Sequence, residues 1–245
     1  MLLFFLLGLI LGSFYNVVGL RLPLNLSFIN NRSFCPSCKQ TLKWYELIPV
    51  LSFLIQSARC LHCKKRISFI YPTIELLTGV LFAYSYIVMN MQLELITSIL
   101  LMSILMIILV TDIVYMVIPN KALLLFCSLF IIMRIIVPLD PWWSAPFGAI
   151  IGFLLIMVII FISRGGMGAG DMKLFGVLGI VLGLEKILLT FFLSCIIGSI
   201  IGFMLLGFKI ITRKQAIPFG PYIILATLLS YFHGDQIIGW YYSLF

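Results

Sequence analysis

The amino-acid sequence predicts an all-α fold: a polytopic membrane bundle of about eight transmembrane helices, with one polar loop between the first two. Three observations carry this. The 245 residues are 63% hydrophobic and only 10% charged, whereas a soluble domain carries about 25% charged residues. Apolar stretches near bilayer length recur along the whole chain. Basic residues crowd into the junctions between alternate stretches, a pattern that reports membrane orientation. No basic stripe is interleaved with a water-soluble fold, so nucleic acid is not an expected partner.

The elements follow in order. Residues 1–20 form the first span. No basic segment precedes them, no small-x-small cleavage site follows, and Arg21 comes after the apolar run, so a retained helix is expected rather than a cleaved signal. Residues 21–71 are the one segment long and polar enough to fold in water. Further spans are expected near 72–91, 94–117, 120–137, 144–163, 171–185, 187–208 and 217–233, the sixth of the eight being short and the last weakly delimited. Trp240, Tyr241 and Tyr242 suit a membrane interface. The domain reading is a first helix at 1–20, a cysteine loop at 21–71 and a transmembrane core at 72–245. No internal repeat stands out.

With the N-terminus outside, Arg21, Arg32, Lys39, Lys43, Arg59, Lys64, Lys65 and Arg66 fall in a cytoplasmic first loop. Lys121, Arg164, Lys173, Lys209, Arg213 and Lys214 fall at the other inner junctions. Of the 16 basic residues only Arg134 and Lys186 lie towards the outside. Arg134 is expected to snorkel from an outer helix end, and His233 and Asp235 receive no role. The same layout brings Asp112, near the inner end of the third span, and Asp171, at the inner start of the sixth, to one membrane face.

The loop carries Cys35-Pro36-Ser37-Cys38 and Cys60-Leu61-His62-Cys63. Each Cys-x-x-Cys can place two thiolates on one ion, and two such pairs complete a tetrahedral zinc site, although the gap 39–59 slightly exceeds the usual range. Lys39, Arg59, Lys64 and Lys65 would help keep the thiols ionised. Disulfides or free thiols are the alternatives, and a reducing cytosol argues against the former. Four thiolates leave no open coordination position, so a structural zinc is expected, clipping a loop with little apolar core. His62 reads as a bystander, and Cys127 and Cys195 as packing residues.

An acid within a membrane segment is costly. Asp112 follows an apolar run, and Asp171 follows Gly168-Ala169-Gly170. Singly, each fits a helix-end charge, and Asp171 fits an N-cap. Two carboxylates brought close would share a proton, one acting as base and the other as acid, and could activate water against a peptide bond. Glycines permit the close backbone approach such a site needs.

Gly168-Ala169-Gly170-Asp171 with Met172-Lys173 resembles the Gly-x-Gly-Asp signature of type IV prepilin leader peptidases. Asp112 through Ile118-Pro119-Asn120 is similar to that family's other catalytic segment. The loop from Cys35 to Cys63 with Trp44–Pro49, the opening Gly12–Val18 with Arg21-Leu22-Pro23, and Pro218-Phe219-Gly220-Pro221 resemble its remaining elements in order. The chain's shortness resembles the competence-type form of Gram-positive bacteria. The resemblance implies an aspartic endopeptidase that cuts the leader from prepilins or pseudopilins at the cytoplasmic membrane face. It also implies methylation of the new N-terminus from S-adenosylmethionine, with membrane lipids as surroundings. Carried over by position, Asp112 and Asp171 are the catalytic pair, Cys35, Cys38, Cys60 and Cys63 the zinc ligands, and Gly168, Gly170 and Lys173 the supporting motif. Lys173 is placed to hold a phosphate headgroup or tune the acid. Arg21, Glu46 and Glu75 could serve methyl transfer or bind substrate, and each equally fits a structural charge. A transporter using the acids as an ion relay is the competing reading from another class, but the two halves show no match to each other.

Overall fold

The computed structural model describes residues 1–27, 33–163, 166–210 and 218–244. Arg32, Arg164, Arg213 and Lys214 of the orientation argument lie outside the described residues, as does residue 217. The described residues are helical apart from loops and two isolated bridges, Phe34–Thr41 and Arg59–Arg66. They divide into two compact units, Met1–Tyr115 and Met116–Phe245.

The first unit contains α1 (Leu2–Arg21), a 3-10 turn (Trp44–Leu47), the short α2 (Leu51–Ile55), α3 (Ile70–Met89) and α4 (Glu94–Tyr115). Its core is α4, which is apolar all round and therefore suited to the interior. Leu101, Met102, Ile104, Leu105, Met106 and Ile108 are fully buried. Small hydroxyls join the helices. The Tyr15 hydroxyl meets Ser103 Oγ at 2.6 Å, Ser98 Oγ donates to Ser85 Oγ at 2.8 Å, and the Tyr115 hydroxyl donates to Leu20 O at 3.0 Å. Among apolar side chains such bonds have no water competing for them.

The second unit contains α5 (Asn120–Ile136), α6 (Ser144–Ile162), α7 (Ala169–Gly207) and α8 (Gly220–Tyr242). Proline punctuates it where the chain must leave or enter a helix: Pro119 immediately precedes α5, and Pro221 lies in the first turn of α8. Among the described residues five helices, α1, α3, α4, α6 and α7, are long and apolar enough to cross a membrane.

The 39-residue α7 is not straight. Gly183 has φ 76° and ψ −179°, and the helix reverses there. The Phe175 and Phe191 rings stand 6.2 Å apart, whereas sixteen residues of continuous helix would separate them by about 24 Å. The limbs 169–182 and 184–207 therefore correspond to the two spans expected at 171–185 and 187–208. With α5 and α8 added, the helices match all eight expected stretches, and the chain is a multi-pass membrane bundle.

The reversal frees backbone groups that must be satisfied away from water. Arg134 Nη2 donates to Val181 O at 2.6 Å and Nη1 to Val137 O at 3.3 Å, while Ser144 Oγ accepts the Leu184 N–H at 3.0 Å. This corrects the expectation for Arg134. It does not snorkel; it is buried and binds the Val181 carbonyl at the turn and the Val137 carbonyl at the end of its own helix. Farther along, Lys186 pairs with Asp235 of α8 at 2.8 Å.

Helices α6 and α7 cross at Gly148 and Gly179. A Cβ on Gly179 would collide with the Gly148 carbonyl oxygen. Gly179→Ala is therefore expected to lower stability by about 1–3 kcal/mol. Gly202, with nothing within 4 Å of its would-be Cβ, should accept alanine neutrally or with a gain of up to about 1 kcal/mol. Thermal unfolding of both variants in detergent checks the contrast.

Candidate functional site

Two hairpins between α1 and α3 repeat one local design. In the first, the Cys35 N–H donates to Gln40 O at 2.9 Å and the Lys39 N–H to Cys35 O at 2.8 Å. In the second, the Cys60 N–H donates to Lys65 O at 2.9 Å and the Lys64 N–H to Cys60 O at 3.0 Å. The residue after each second cysteine is left-handed, with φ 57° at Lys39 and 59° at Lys64. The loop thus contains an internal repeat where none was expected. Only Cys-x-x-Cys-Lys is shared in sequence, because backbone hydrogen bonds rather than side chains define the turn.

The four sulfurs of Cys35, Cys38, Cys60 and Cys63 lie within 4.8 Å of one another, and those of Cys35 and Cys63 are 3.8 Å apart. Tetrahedral ligation at a Zn–S distance of about 2.3 Å sets sulfurs about 3.8 Å apart, so these residues fit a metal ion. All four are free thiols. The Cys38 backbone N–H, assisted by that of Ser37 and opposed by burial, holds the Cys35 thiol down at about 7. Although the Gln40 backbone N–H opposes it, burial and the Cys35, Cys63 and Cys60 thiols push the Cys38 thiol up to about 11, so of these two it is Cys35 that shifts in the direction thiolate ligation requires.

His62 is not part of the sulfur cluster. Its Nε2 lies 3.7 Å from Glu46 Oε1, and the Glu46 side chain is 1% exposed. Glu46 Oε2 accepts the Lys43 N–H at 2.7 Å, while Oε1 has no hydrogen-bond partner. Glu75, also buried, accepts the Val50 N–H at 2.8 Å. Val50 has φ 61° and ψ −51°, and the Leu51 N–H donates to Pro49 O at 2.6 Å. This is a γ-turn on a β-branched residue, a strained conformation that Glu75 secures from α3. The sequence signals Pro49 as a breaker, but nothing local announces the remote acid. Arg21 Nη1 donates to Ser27 O at 3.3 Å, and its guanidinium stands 5.6 Å from the centre of the Phe34 ring.

Asp112 is buried in the last turn of α4, in the first unit. Asp171 is buried in the first turn of α7, in the second. It is not the N-cap. Gly168 holds that position, and Asp171 Oδ2 reaches back to accept its N–H at 3.2 Å, half of a capping box. A carboxylate there also faces the positive end of the helix dipole. Within the second unit the Ile118-Pro119-Asn120 segment meets the glycine motif. A Cβ on Gly170 would lie 3.0 Å from Ile118 Cβ, and Lys173 Nζ donates to Asn120 Oδ1 at 3.0 Å. Asn120 was not singled out for a contact role from sequence. Its place one residue after Pro119, at the start of α5, was the available signal.

The family model described as the bacterial peptidase A24 N-terminal domain matches residues 6–89, and that of the type IV leader peptidase family matches residues 99–203. A prepilin leader peptidase/N-methyltransferase of Bacillus subtilis is 45% identical over 240 residues, covering 98% of this chain and 97% of the relative. Proteins of the same name from Vibrio cholerae and Legionella pneumophila are 32% and 30% identical, covering 95% and 96% of this chain and 96% and 92% of theirs. No solved structure matches the chain. With both halves matched and similarity running nearly end to end, the chain belongs to the type IV leader peptidase family.

Proposed function

We propose that this protein cleaves the leader from type IV prepilins or pseudopilins at the cytoplasmic membrane face, with Asp112 and Asp171 as the catalytic pair, and N-methylates the new terminus. The observation that carries the reading is the near-full-length similarity to proteins named for both activities. The orientation has the N-terminus outside and the cysteine loop in the cytoplasm, supported by Arg21, Lys39, Lys43, Arg59, Lys64, Lys65 and Arg66 between α1 and α3.

The setting of each acid suits the chemistry. Asp171 is oriented by the Gly168 N–H. Asp112 sits at the end of an apolar helix. The ionised acid takes a proton from water, the resulting hydroxide adds to the scissile carbonyl, and the protonated acid donates to the leaving amine. The substrate helix docks by apolar packing, because an enzyme this basic repels a basic leader.

Cys35, Cys38, Cys60 and Cys63 would hold zinc as a structural clip. S-adenosylmethionine would supply an electrophilic methyl group. Glu46, with a buried oxygen lacking a hydrogen-bond donor, and Glu75 are acids of the first unit that suit a cationic group.

Asp112→Asn and Asp171→Asn should each lower leader cleavage by about a thousandfold or more, with unchanged amounts in the membrane. Mass spectrometry of a co-expressed pilin-like precursor reads both the cleavage and the added methyl group. Persistent cleavage in either variant would remove that acid from the mechanism. The purified protein should carry about one zinc per chain, and Cys60→Ser should lose it. Acidification should release it as the thiolates protonate. Elemental analysis after gel filtration checks all three outcomes.

A further inference from the structure

Five large apolar side chains near the cysteine hairpins face outward. Trp44 is 78% exposed, Leu51 57%, Leu54 66%, Ile55 81% and Phe69 72%. They are not scattered. The 3-10 turn and α2 pack on each other, and Phe53 of α2 meets Phe69 edge to face at 5.3 Å. Such a cluster on a water-facing loop marks an interaction surface.

The backbone builds the projection. The γ-turn at Val50, held by Glu75, starts α2 abruptly. Ser57 and Ala58, at φ 50° and 57°, end it after little more than one turn, with the Ala58 N–H donating to Phe53 O at 2.9 Å. The result is a short apolar tip rather than a helix with a face to bury.

Two features identify the partner. Phe69 immediately precedes α3, and three exposed apolar residues of that span, Leu76, Val80 and Ile87, follow Phe69 at helical spacing on one face. The patch therefore continues a lipid-facing stripe. The charges around it are also of one sign. Lys39, Lys43, Arg59, Lys64, Lys65 and Arg66 are exposed, and the loop's acid, Glu46, is buried. Exposed apolar side chains on a loop whose exposed charges are cationic match an anionic lipid surface, whereas a basic polypeptide would be repelled.

We propose that the tip formed by Trp44, Leu51, Leu54, Ile55 and Phe69 inserts into the lipid interface from which α3 enters the membrane. It thereby anchors the cysteine hairpins at headgroup depth on an anionic leaflet. The anchor is separate from peptide cleavage and does not depend on which acids are catalytic.

The test uses the full chain in phosphatidylglycerol-containing vesicles, with Trp142, Trp143 and Trp240 replaced by phenylalanine so that Trp44 is the sole tryptophan. Lipid brominated near the carbonyls should quench its emission by about half, lipid brominated near the chain ends should quench less, and aqueous iodide should have little effect. If the triple variant does not fold, the difference between the otherwise native protein and Trp44→Phe gives the same readout. Leu54→Ser with Ile55→Ser should reduce lipid quenching and admit iodide without changing zinc content. Iodide quenching without bromolipid quenching overturns the proposal. So does protection from iodide that arises only when a pilin-like peptide is added, which would assign the patch to a polypeptide.

Discussion

A polar group withdrawn from water inside a bilayer must find its partner within the protein, and this constraint organises both units. At Gly183 the helix reverses, and the groups set free are met by Arg134 and Ser144. The same constraint acts on the acids. Glu75 takes the N–H of Val50, Asp171 takes that of Gly168, and Glu46 is held beside His62. Glu75 and Asp171 thus each fix a piece of backbone.

That economy bears on the proposed catalysis. A dyad needs two carboxyls in different protonation states near neutral pH. Asp171 lies in the first turn of its helix with Oδ2 on the Gly168 N–H, while Asp112 ends an apolar run. The two acids thus sit in unlike local surroundings. The glycines have a complementary part. Gly148 and Gly179 allow α6 and α7 to cross closely, and Gly170 admits Ile118 against the start of α7.

Most of the architecture was legible because lipid imposes a length on every span. The eight apolar stretches correspond to the helices, including the two limbs of α7 that a single unbroken helix would have obscured. The cysteine cluster was legible because metal chemistry favours such spacing. What escaped were contacts between residues remote in sequence. Arg134 was read as an outer charge, since nothing near it in sequence reveals that Val181 needs a donor. The support of Val50 by Glu75 was hidden for the same reason, and the repeat of the cysteine hairpins lies in backbone hydrogen bonds that leave little trace in side chains. Proteins named for the same activity share nearly the whole chain length, which favours a peptidase over a transporter for the chain as a whole.

The central claim is that two carboxyls, one ionised and one protonated, act together on water. The most direct measurement is the pH dependence of kcat/KM for cleavage of a pilin-like precursor by the zinc-loaded protein in vesicles. A bell-shaped profile, with one limb for loss of the base and one for loss of the acid, is the predicted result. A rate that rises with pH to a plateau, as for a single general base, would contradict it.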